Sequence, residues 1–148
     1  MRSTLAKEYP GIGWIGLADI NEELGKKLKN DIKADFFTTD FRELIERPEV
    51  DALIVATSTW SHVEPILAGV ERKIPMLIEK PLATDAIQSL KVLNAIRESG
   101  IDAVVGYTQR FRRRFLAVKE RINNGQIGEA TAVVVRAFMN KMAPTGEM

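Results

Sequence analysis

The sequence predicts an α/β fold with a doubly wound parallel sheet, and two observations carry that prediction. Short, nearly continuous apolar runs occur at Asp51–Thr57, Ile74–Lys80 and Asp102–Thr108, a pattern typical of parallel strands that are covered on both faces. Amphipathic stretches with helical spacing alternate with these runs. Strands and helices that alternate in this way form right-handed βαβ units, and such units build a parallel sheet.

The first fifty residues contribute shorter elements of the same alternation. Apolar residues between Gly11 and Asp19 predict a strand, and an amphipathic helix follows over residues 21–30. A second short strand is predicted over 34–38. A helix that begins at Asp40 comes next, because aspartate is a favoured N-cap residue.

Three longer helices complete the predicted set. The first opens with Ser61 and carries Glu64 three residues later, which is the spacing of a capping box. The second begins at Thr84 or Asp85, and the third covers residues 111–124 with one apolar stripe. Each of the last two is followed by a glycine, which is a common helix stop.

Composition excludes several classes of protein and site. The chain has 148 residues, 45% hydrophobic and 28% charged, which is enough for one globular domain or one domain and the start of another. A net charge of +1 gives no reason to expect a nucleic acid or an anionic membrane as partner. With no cysteine and one histidine, disulfides and Cys-His zinc sites are excluded. We expect a cytoplasmic protein, since no signal sequence or apolar run of about 20 residues occurs.

The glycines of Gly11–Gly16 match the pattern G-x-G-x-x-G, which raises the question of a phosphate-binding loop. Such a loop follows a strand and opens a helix, whereas these glycines follow a polar segment and lie within the predicted strand. We therefore interpret the match as coincidental, and Asp19 as the residue that ends the strand. The alternative is a small, complete nucleotide-binding domain, in which Asp35 or Asp40 is the acidic residue expected further on.

Four segments, in this order, are similar to motifs of the Gfo/Idh/MocA family of NAD(P)-dependent sugar and cyclitol oxidoreductases. They are "ATSTWSH" (Ala56–His62), "EKP" (Glu79–Pro81), "GYTQRF" (Gly106–Phe111) and "NGQIGEA" (residues 124–130). The resemblance extends over about Met1–Phe138, and "EKP", at a predicted strand end, is its strongest element. It implies a Rossmann domain and hydride transfer with NAD or NADP on a secondary alcohol.

The departures from the family pattern concern the ends of the chain and one motif. The first Rossmann strand and its glycine loop are absent, and Ser58-Thr59 stands where Pro-Asn is common. We therefore expect residues 1–125 to be a partial Rossmann domain. Residues 126–148 would begin a second α+β domain, with "EATAVVVRAFMN" as its first strand. The full-length protein is expected to act on a small molecule as a homo-oligomer, and this chain alone to be an inactive fragment.

The resemblance assigns the central role to Lys80. It implies that this ammonium lies beside the nicotinamide and the substrate hydroxyl, where it orients the substrate or passes its proton. The alternative is an ion pair with Glu79 or another acid. Glu79 and Pro81 are expected to contribute to the cofactor site as neighbours of Lys80. The family often has a cis peptide bond before Pro81, whereas the residues alone favour a trans bond.

Further cofactor contacts are implied at five positions. Asp19 would bind the adenosine ribose and favour NAD over NADP, or else simply cap a helix. Thr57 and Ser58 would contact the ribose or diphosphate, although both residues also suit a turn. His62 is expected to pack or cap beside the cofactor pocket rather than to act in catalysis. Arg110 matches the family's arginine, while the other arginines around it are expected to form a solvated face.

A sheet without its first strand has a physical consequence. In the order 3-2-1-4-5-6, strand one separates strands two and four, so "GWIGLA" and "ALIVAT" would each present an open edge. The phosphate site would be lost with that strand, and the chain alone should bind NAD poorly. An alternative function follows, in which the chain is a non-catalytic interaction module whose open edges pair with a partner chain.

Overall fold

The computed structural model describes residues 8–136 and 138 of the 148-residue chain. The chain divides into two compact units, Met1–Tyr107 and Thr108–Met148. In chain order, the elements of the first unit are β1 (Gly16–Ala18), α1 (Glu22–Ile32), β2 (Phe36–Thr38), α2 (Phe41–Ile45), β3 (Leu53–Val55), a 3₁₀ turn (Thr59–Ser61), α3 (Val63–Glu71), β4 (Met76–Ile78), α4 (Ala86–Ser99) and β5 (Ala103–Val105). Those of the second unit are a 3₁₀ turn (Thr108–Phe111) and α5 (Arg113–Asn123).

All strand pairings in the first unit are parallel, but they form two separate sheets. β1 pairs with β2, with Leu17 opposite Phe37. β4 lies between β3 and β5, with Leu77 opposite Ile54 and Val104. The prediction of an α/β fold with parallel strands is confirmed. Within the described residues, β1 and β3 each have a partner on one side only.

The main hydrophobic core lies against the three-stranded sheet. Its buried members come from β3, β4, α3 and α4, and they are Val55, Ile66, Val70, Met76, Ile78 and Val92. Ile66, Ile78 and Val92 are completely buried. Burying an aliphatic side chain of this size contributes about 1.5–3 kcal/mol, so this cluster stabilises the strands that carry the candidate site.

Side-chain caps define three of the helix starts, as the sequence predicts. Asn21 Oδ1 accepts a hydrogen bond from Leu24 N at 2.9 Å and begins α1. Asp40 and Asp85 cap α2 and α4 in the same way. Gly100 follows α4 with a φ of 70°, a left-handed conformation that glycine adopts without strain.

The capping box predicted at Ser61 is wrong. α3 begins two residues later, at Val63, and its N-cap residue makes no side-chain capping bond. Ser61 instead belongs to the 3₁₀ turn, where its hydroxyl lies 3.1 Å from the Ser58 hydroxyl. Glu64 hydrogen-bonds to Arg42 at 3.1 Å rather than to a backbone amide of its own helix start.

The glycine-rich stretch forms a strand rather than a loop that opens a helix. β1 begins at Gly16, the last glycine of the pattern, and the next helix starts only at Glu22. A Cβ atom at Gly16 would lie within 2.4 Å of side-chain atoms of Trp14 and Leu44, so close packing accounts for this glycine. The predicted strand is confirmed, and the phosphate-loop alternative is wrong because, in the described residues, the glycines lead into a strand and do not open a helix.

The predicted strand of a second domain is not formed in the described residues. Residues 129–136 belong to no helix or strand, and Val133–Val135 are exposed. A strand requires a hydrogen-bonded neighbour, and none pairs with this segment in the described part of the chain. The remainder of that strand and of the predicted 126–148 domain lies outside the described residues, except Phe138. Among the described helices, none has both the length and the apolar composition needed to span a membrane.

Candidate functional site

A cleft of about 1290 Å³ lies in the first unit between the two sheets. Every residue of β1 and β3 lines it, because these are the strands that face each other without pairing. The cleft brings together three of the predicted site residues, which are Asp19, Thr57 and Ser58. All three follow the carboxyl end of a parallel strand, the edge at which open α/β sheets bind ligands.

Asp19 is fixed at the end of β1 by its backbone and by one carboxylate oxygen. Its N–H donates to Thr38 O at 3.2 Å, which prolongs the β1–β2 ladder by one bond. Its Oδ1 accepts from Asn21 N at 2.8 Å. The N-cap of α1 is Asn21 rather than Asp19. The half-buried Asp19 carboxylate is thus held at the mouth of the cleft.

Thr57 and Ser58 form the turn that follows β3. The Thr57 hydroxyl donates to Ser58 O at 3.3 Å, and Ser58 O accepts the Ser61 N–H at 2.9 Å. Both side chains are exposed and line the cleft. The two residues therefore make the turn contacts that their chemistry favours, while their exposed surface remains accessible from the cleft.

The Glu79–Pro81 segment continues directly from β4. Glu79 N donates to Val55 O at 2.8 Å, which extends the β3–β4 ladder to the strand end. Lys80 N donates to the Glu79 carboxylate at 3.1 Å, and the Lys80 side chain is exposed. The Lys80–Pro81 peptide bond is cis. The trans bond favoured by the residues alone is therefore wrong, and the cis bond implied by the family resemblance is the one observed.

His62 connects the segments after β3 and β4. The ring is 1% exposed. Its Nδ1 lies 2.8 Å from Pro81 O and its Nε2 lies 3.0 Å from Thr57 O. Both ring nitrogens are engaged with backbone carbonyls that directly neighbour candidate site residues.

Arg110 lies in the second unit, on the 3₁₀ turn Thr108–Phe111, and is exposed. A pocket of about 290 Å³ in that unit is lined by Gln109, Arg110, Phe115, Leu116 and Lys119. The guanidinium of Arg114 lies 5.0 Å from the ring centre of Phe115. Arg110 therefore has apolar and cationic neighbours within its own unit.

The sequence analysis did not single out the first turns of α4 as part of the site. Asp85, Gln88 and Lys91 recur at helical spacing and line the cleft together with Thr84. Nothing in their local pattern distinguishes them from an ordinary exposed helix face. In the described residues, no group of three or more histidine, aspartate or glutamate side chains could hold a metal ion.

Comparison with known proteins relates this chain to a family of oxidoreductases. Residues 4–107 match the model of the Gfo/Idh/MocA oxidoreductase family with its NAD-binding Rossmann fold. Inositol 2-dehydrogenase 4 of Saccharopolyspora erythraea is 32% identical over 95% of this chain and 41% of its own length. Myo-inositol 2-dehydrogenase of Thermotoga maritima is 30% identical over 76% of this chain and 34% of its own length.

Solved structures show the same relationship. A probable dehydrogenase of Thermotoga maritima superposes with a TM-score of 0.76 at 28% identity, covering 84% of this chain and 38% of that one. Levoglucosan dehydrogenase, in a complex with NADH and levoglucosan, superposes with a TM-score of 0.72 at 26% identity. The match covers 76% of this chain and 30% of that one. The chain spans about a third to two fifths of the length of the curated relatives described above. With the fold, the motifs and the family match in agreement, the chain belongs to the Gfo/Idh/MocA family of NAD-binding oxidoreductases.

Proposed function

We propose that this chain is part of an NAD-dependent dehydrogenase that acts on a secondary alcohol of a cyclitol or sugar. The observation that carries the proposal is the position of Lys80. It follows the end of β4, which is the central strand of its sheet, and it directly precedes Pro81, whose carbonyl lies 2.8 Å from His62 Nδ1. Its exposed amino group can orient a hydroxyl as a hydrogen-bond donor or, as the neutral amine, accept the proton that the hydroxyl loses.

The cofactor supplies the hydride-transfer chemistry when it is bound. The residues present fit only part of the cofactor molecule. Asp19 would accept hydrogen bonds from the adenosine ribose hydroxyls, and its charge would repel the 2′-phosphate of NADP. Thr57 and Ser58 would contact the middle of the cofactor. Gly11–Gly16 forms a strand start rather than a phosphate cradle, so binding by this chain is expected to be weak and turnover absent.

The substrate class is inferred from the relatives. Two relatives that match more than nine tenths of this chain are inositol dehydrogenases, and a solved relative of the same fold holds the sugar derivative levoglucosan. A polyol with several equatorial or axial hydroxyls suits a site that recognises one reacting hydroxyl through a lysine and the rest through other polar groups. We expect the full-length enzyme to be a homo-oligomer and to need residues beyond this chain for turnover.

Ligand-observed NMR with NADH and NADPH tests the cofactor assignment, because it detects weak binding. The chain should show contacts to the NADH ribose, and NADPH should bind more weakly. Asp19→Ala should reduce the NADH signal about tenfold, as expected for the loss of a charged hydrogen bond. Asp51→Ala is the matched control, since this exposed acid lines the same cleft at the opposite end of β3. Equal losses in both variants, or micromolar binding that Asp19→Ala leaves intact, would overturn the assignment.

A second candidate function is strand capture, and the cleft between β1 and β3 favours it. One added strand occupies about 160 Å³ per residue, from a strand spacing of ~4.8 Å, a sheet spacing of ~10 Å and a rise of ~3.3 Å. Five residues then need about 800 Å³, and the cleft provides about 1290 Å³. We propose that its occupant is an apolar polypeptide strand of a partner chain, parallel to β1 and β3, which would satisfy both open edges.

A synthetic peptide with the sequence of Asp51–Thr57 is a suitable probe, because it is itself an apolar parallel strand of this fold. Added in excess, it should slow amide hydrogen exchange in both β1 and β3. The same peptide with Ile54→Pro, which disrupts strand pairing, is the control. Slowing by both peptides alike, or by neither, would refute strand capture and leave the dehydrogenase proposal untouched.

A further inference from the structure

We propose that His62 is a positioning residue that holds the turn after β3 and the turn after β4 at a fixed distance from each other. The inference rests on the proposed dehydrogenase function, because those turns carry Thr57, Ser58 and Lys80. It gives His62 a role distinct from cofactor contact. The ring would act only through the two backbone segments that it joins.

The geometry of the ring supports this role. Pro81 O and Thr57 O lie at opposite ring nitrogens, at 2.8 and 3.0 Å. Pro81 lies 19 residues after His62 in the sequence, and Thr57 lies 5 residues before it, so the two carbonyls belong to different segments. A single side chain therefore links the ends of two neighbouring parallel strands. Each carbonyl can only accept, so each contact is a hydrogen bond when the ring nitrogen that faces it carries the proton.

The burial of the ring shows that it is not available to a ligand in this state. The side chain is 1% exposed and sits at the start of α3, whose next buried turn, at Ile66, belongs to the main core. Its position is therefore set by the close-packed main core. Thr57, Ser58 and Lys80 are exposed by contrast, so the ring transmits the rigidity of the core to side chains that face solvent.

The bridge constrains the spacing that the proposed reaction needs. Thr57 and Ser58 are expected to bind the cofactor, and Lys80 the reacting hydroxyl. A displacement of about 1 Å between such groups can lower the rate about a hundredfold. The β3–β4 ladder fixes the strands as far as Glu79, and the His62 bridge extends that fixation to the turns beyond the ladder.

Amide hydrogen exchange on the isolated chain tests the bridge without any cofactor. The reporters are the amides of Ser61, which donates to Ser58 O, and of Lys80, which donates to Glu79. In His62→Leu, which keeps bulk but removes both bonds, exchange at both reporters should rise about tenfold relative to Met76 N in the core ladder. His62→Gln, which retains amide donors, should restore part of the protection.

Ile66→Val is the matched control, because Ile66 is also fully buried on α3 but does not contact the turns by hydrogen bonds. It should lower stability and accelerate exchange at all three reporters together. If His62→Leu does the same, or if only one turn responds, the positioning role is wrong and the histidine is merely a core residue. If the wild-type chain shows no NADH binding, that result counts against the proposed function alone, since the exchange measurement does not involve the cofactor.

Discussion

The two sheets of the first unit bury their strands to very different extents. In the three-stranded sheet, the strands supply core residues, with Val55 at 2%, Met76 at 5% and Ile78 at 0% exposure. In the two-stranded sheet, all of β1 is only half-buried. There the buried aliphatic side chains are those of Ile32 on α1, Leu44 and Ile45 on α2, and Ala34 shortly before β2. Val55 belongs to this core although β3 pairs on one side only in the described residues, because side chains of α3 and α4 pack in the same cluster.

Surface contacts hold the outer part of the two-stranded sheet. Trp14 stacks on Phe36 with ring centres 6.3 Å apart, and the Arg47 guanidinium lies 4.6 Å from the Phe36 ring centre. Arg47 also forms an ion pair with Glu49 at 2.7 Å. Exposed contacts of this type contribute less than buried apolar area. We therefore expect the two-stranded sheet to open before the three-stranded sheet, with faster amide exchange in β1 than in β4.

The largest expected effect is in the core of the three-stranded sheet. Ile66→Ala should lower the free energy of unfolding by about 2–5 kcal/mol, because it leaves a cavity at a fully buried site. Urea denaturation followed by circular dichroism measures the loss. Ile87→Ala on α4 is the control, since that side chain is 79% exposed and its removal should change stability by less than about 0.5 kcal/mol. Similar losses in the two variants would show that the core does not dominate stability.

An intermediate effect is expected where α1 packs on β2. A Cβ atom at Gly25 would lie 2.0 Å from Phe37 Cε2 and 2.5 Å from Phe37 Cζ, so the ring must move out of the interface. Gly25→Ala should destabilise the protein by about 1–3 kcal/mol, although alanine favours the helix itself. Exchange should increase in β2 more than in β4.

Gly13→Ala is the control for that experiment, because a Cβ atom there meets no other atom within 4 Å. Its unfolding midpoint should match that of the wild-type chain. A stabilised Gly25→Ala variant would mean that Phe37 moves without loss, and the two-stranded sheet would then be more plastic than we infer.

Local signals made most of the fold predictable from the sequence. The apolar runs predicted β3, β4 and β5, and the side chains of Asn21, Asp40 and Asp85 predicted helix starts, because both signals depend on residues close in the chain. The strand at Gly16–Ala18 could be distinguished from a phosphate loop because the segment before Gly11 is polar. Open edges at β1 and β3 were expected from the strand order 3-2-1-4-5-6, and in the described residues each of these strands pairs on one side only.

The site itself was less predictable because its contacts are not local. His62 was predicted to pack or cap beside the cofactor pocket, but its bond to Pro81 O joins groups 19 residues apart, which no local pattern indicates. Ser61 was assigned to a helix cap, and the chain instead forms a 3₁₀ turn that places the helix start two residues later. The Lys91 side chain lines the cleft only because α4 runs along it, and no sequence pattern records that placement.

The smallest expected effect concerns the ion pair at the edge of the two-stranded sheet. The Arg47 hydrogen bond holds the pKa of the Glu49 carboxyl below its usual range, and Glu49 in turn raises the pKa of Arg47. A carboxyl whose pKa is lower in the folded state stabilises folding above the unfolded-state pKa, and the contribution is lost as the pH falls through the lowered value. Glu49→Gln should therefore reduce the unfolding midpoint slightly at pH 7 and not at all well below pH ~4.

Thermal unfolding at both pH values measures this difference, with Glu46→Gln as the control for the loss of an exposed glutamate, at the C-cap of the preceding helix α2. The effect is expected to be small because water and salt screen an exposed pair. If it persists at low pH, the glutamate acts through packing rather than charge. If the shift at pH 7 instead approaches that of Gly25→Ala, surface contacts stabilise the two-stranded sheet as strongly as apolar packing does, and the contrast between the two sheets would lie in geometry alone.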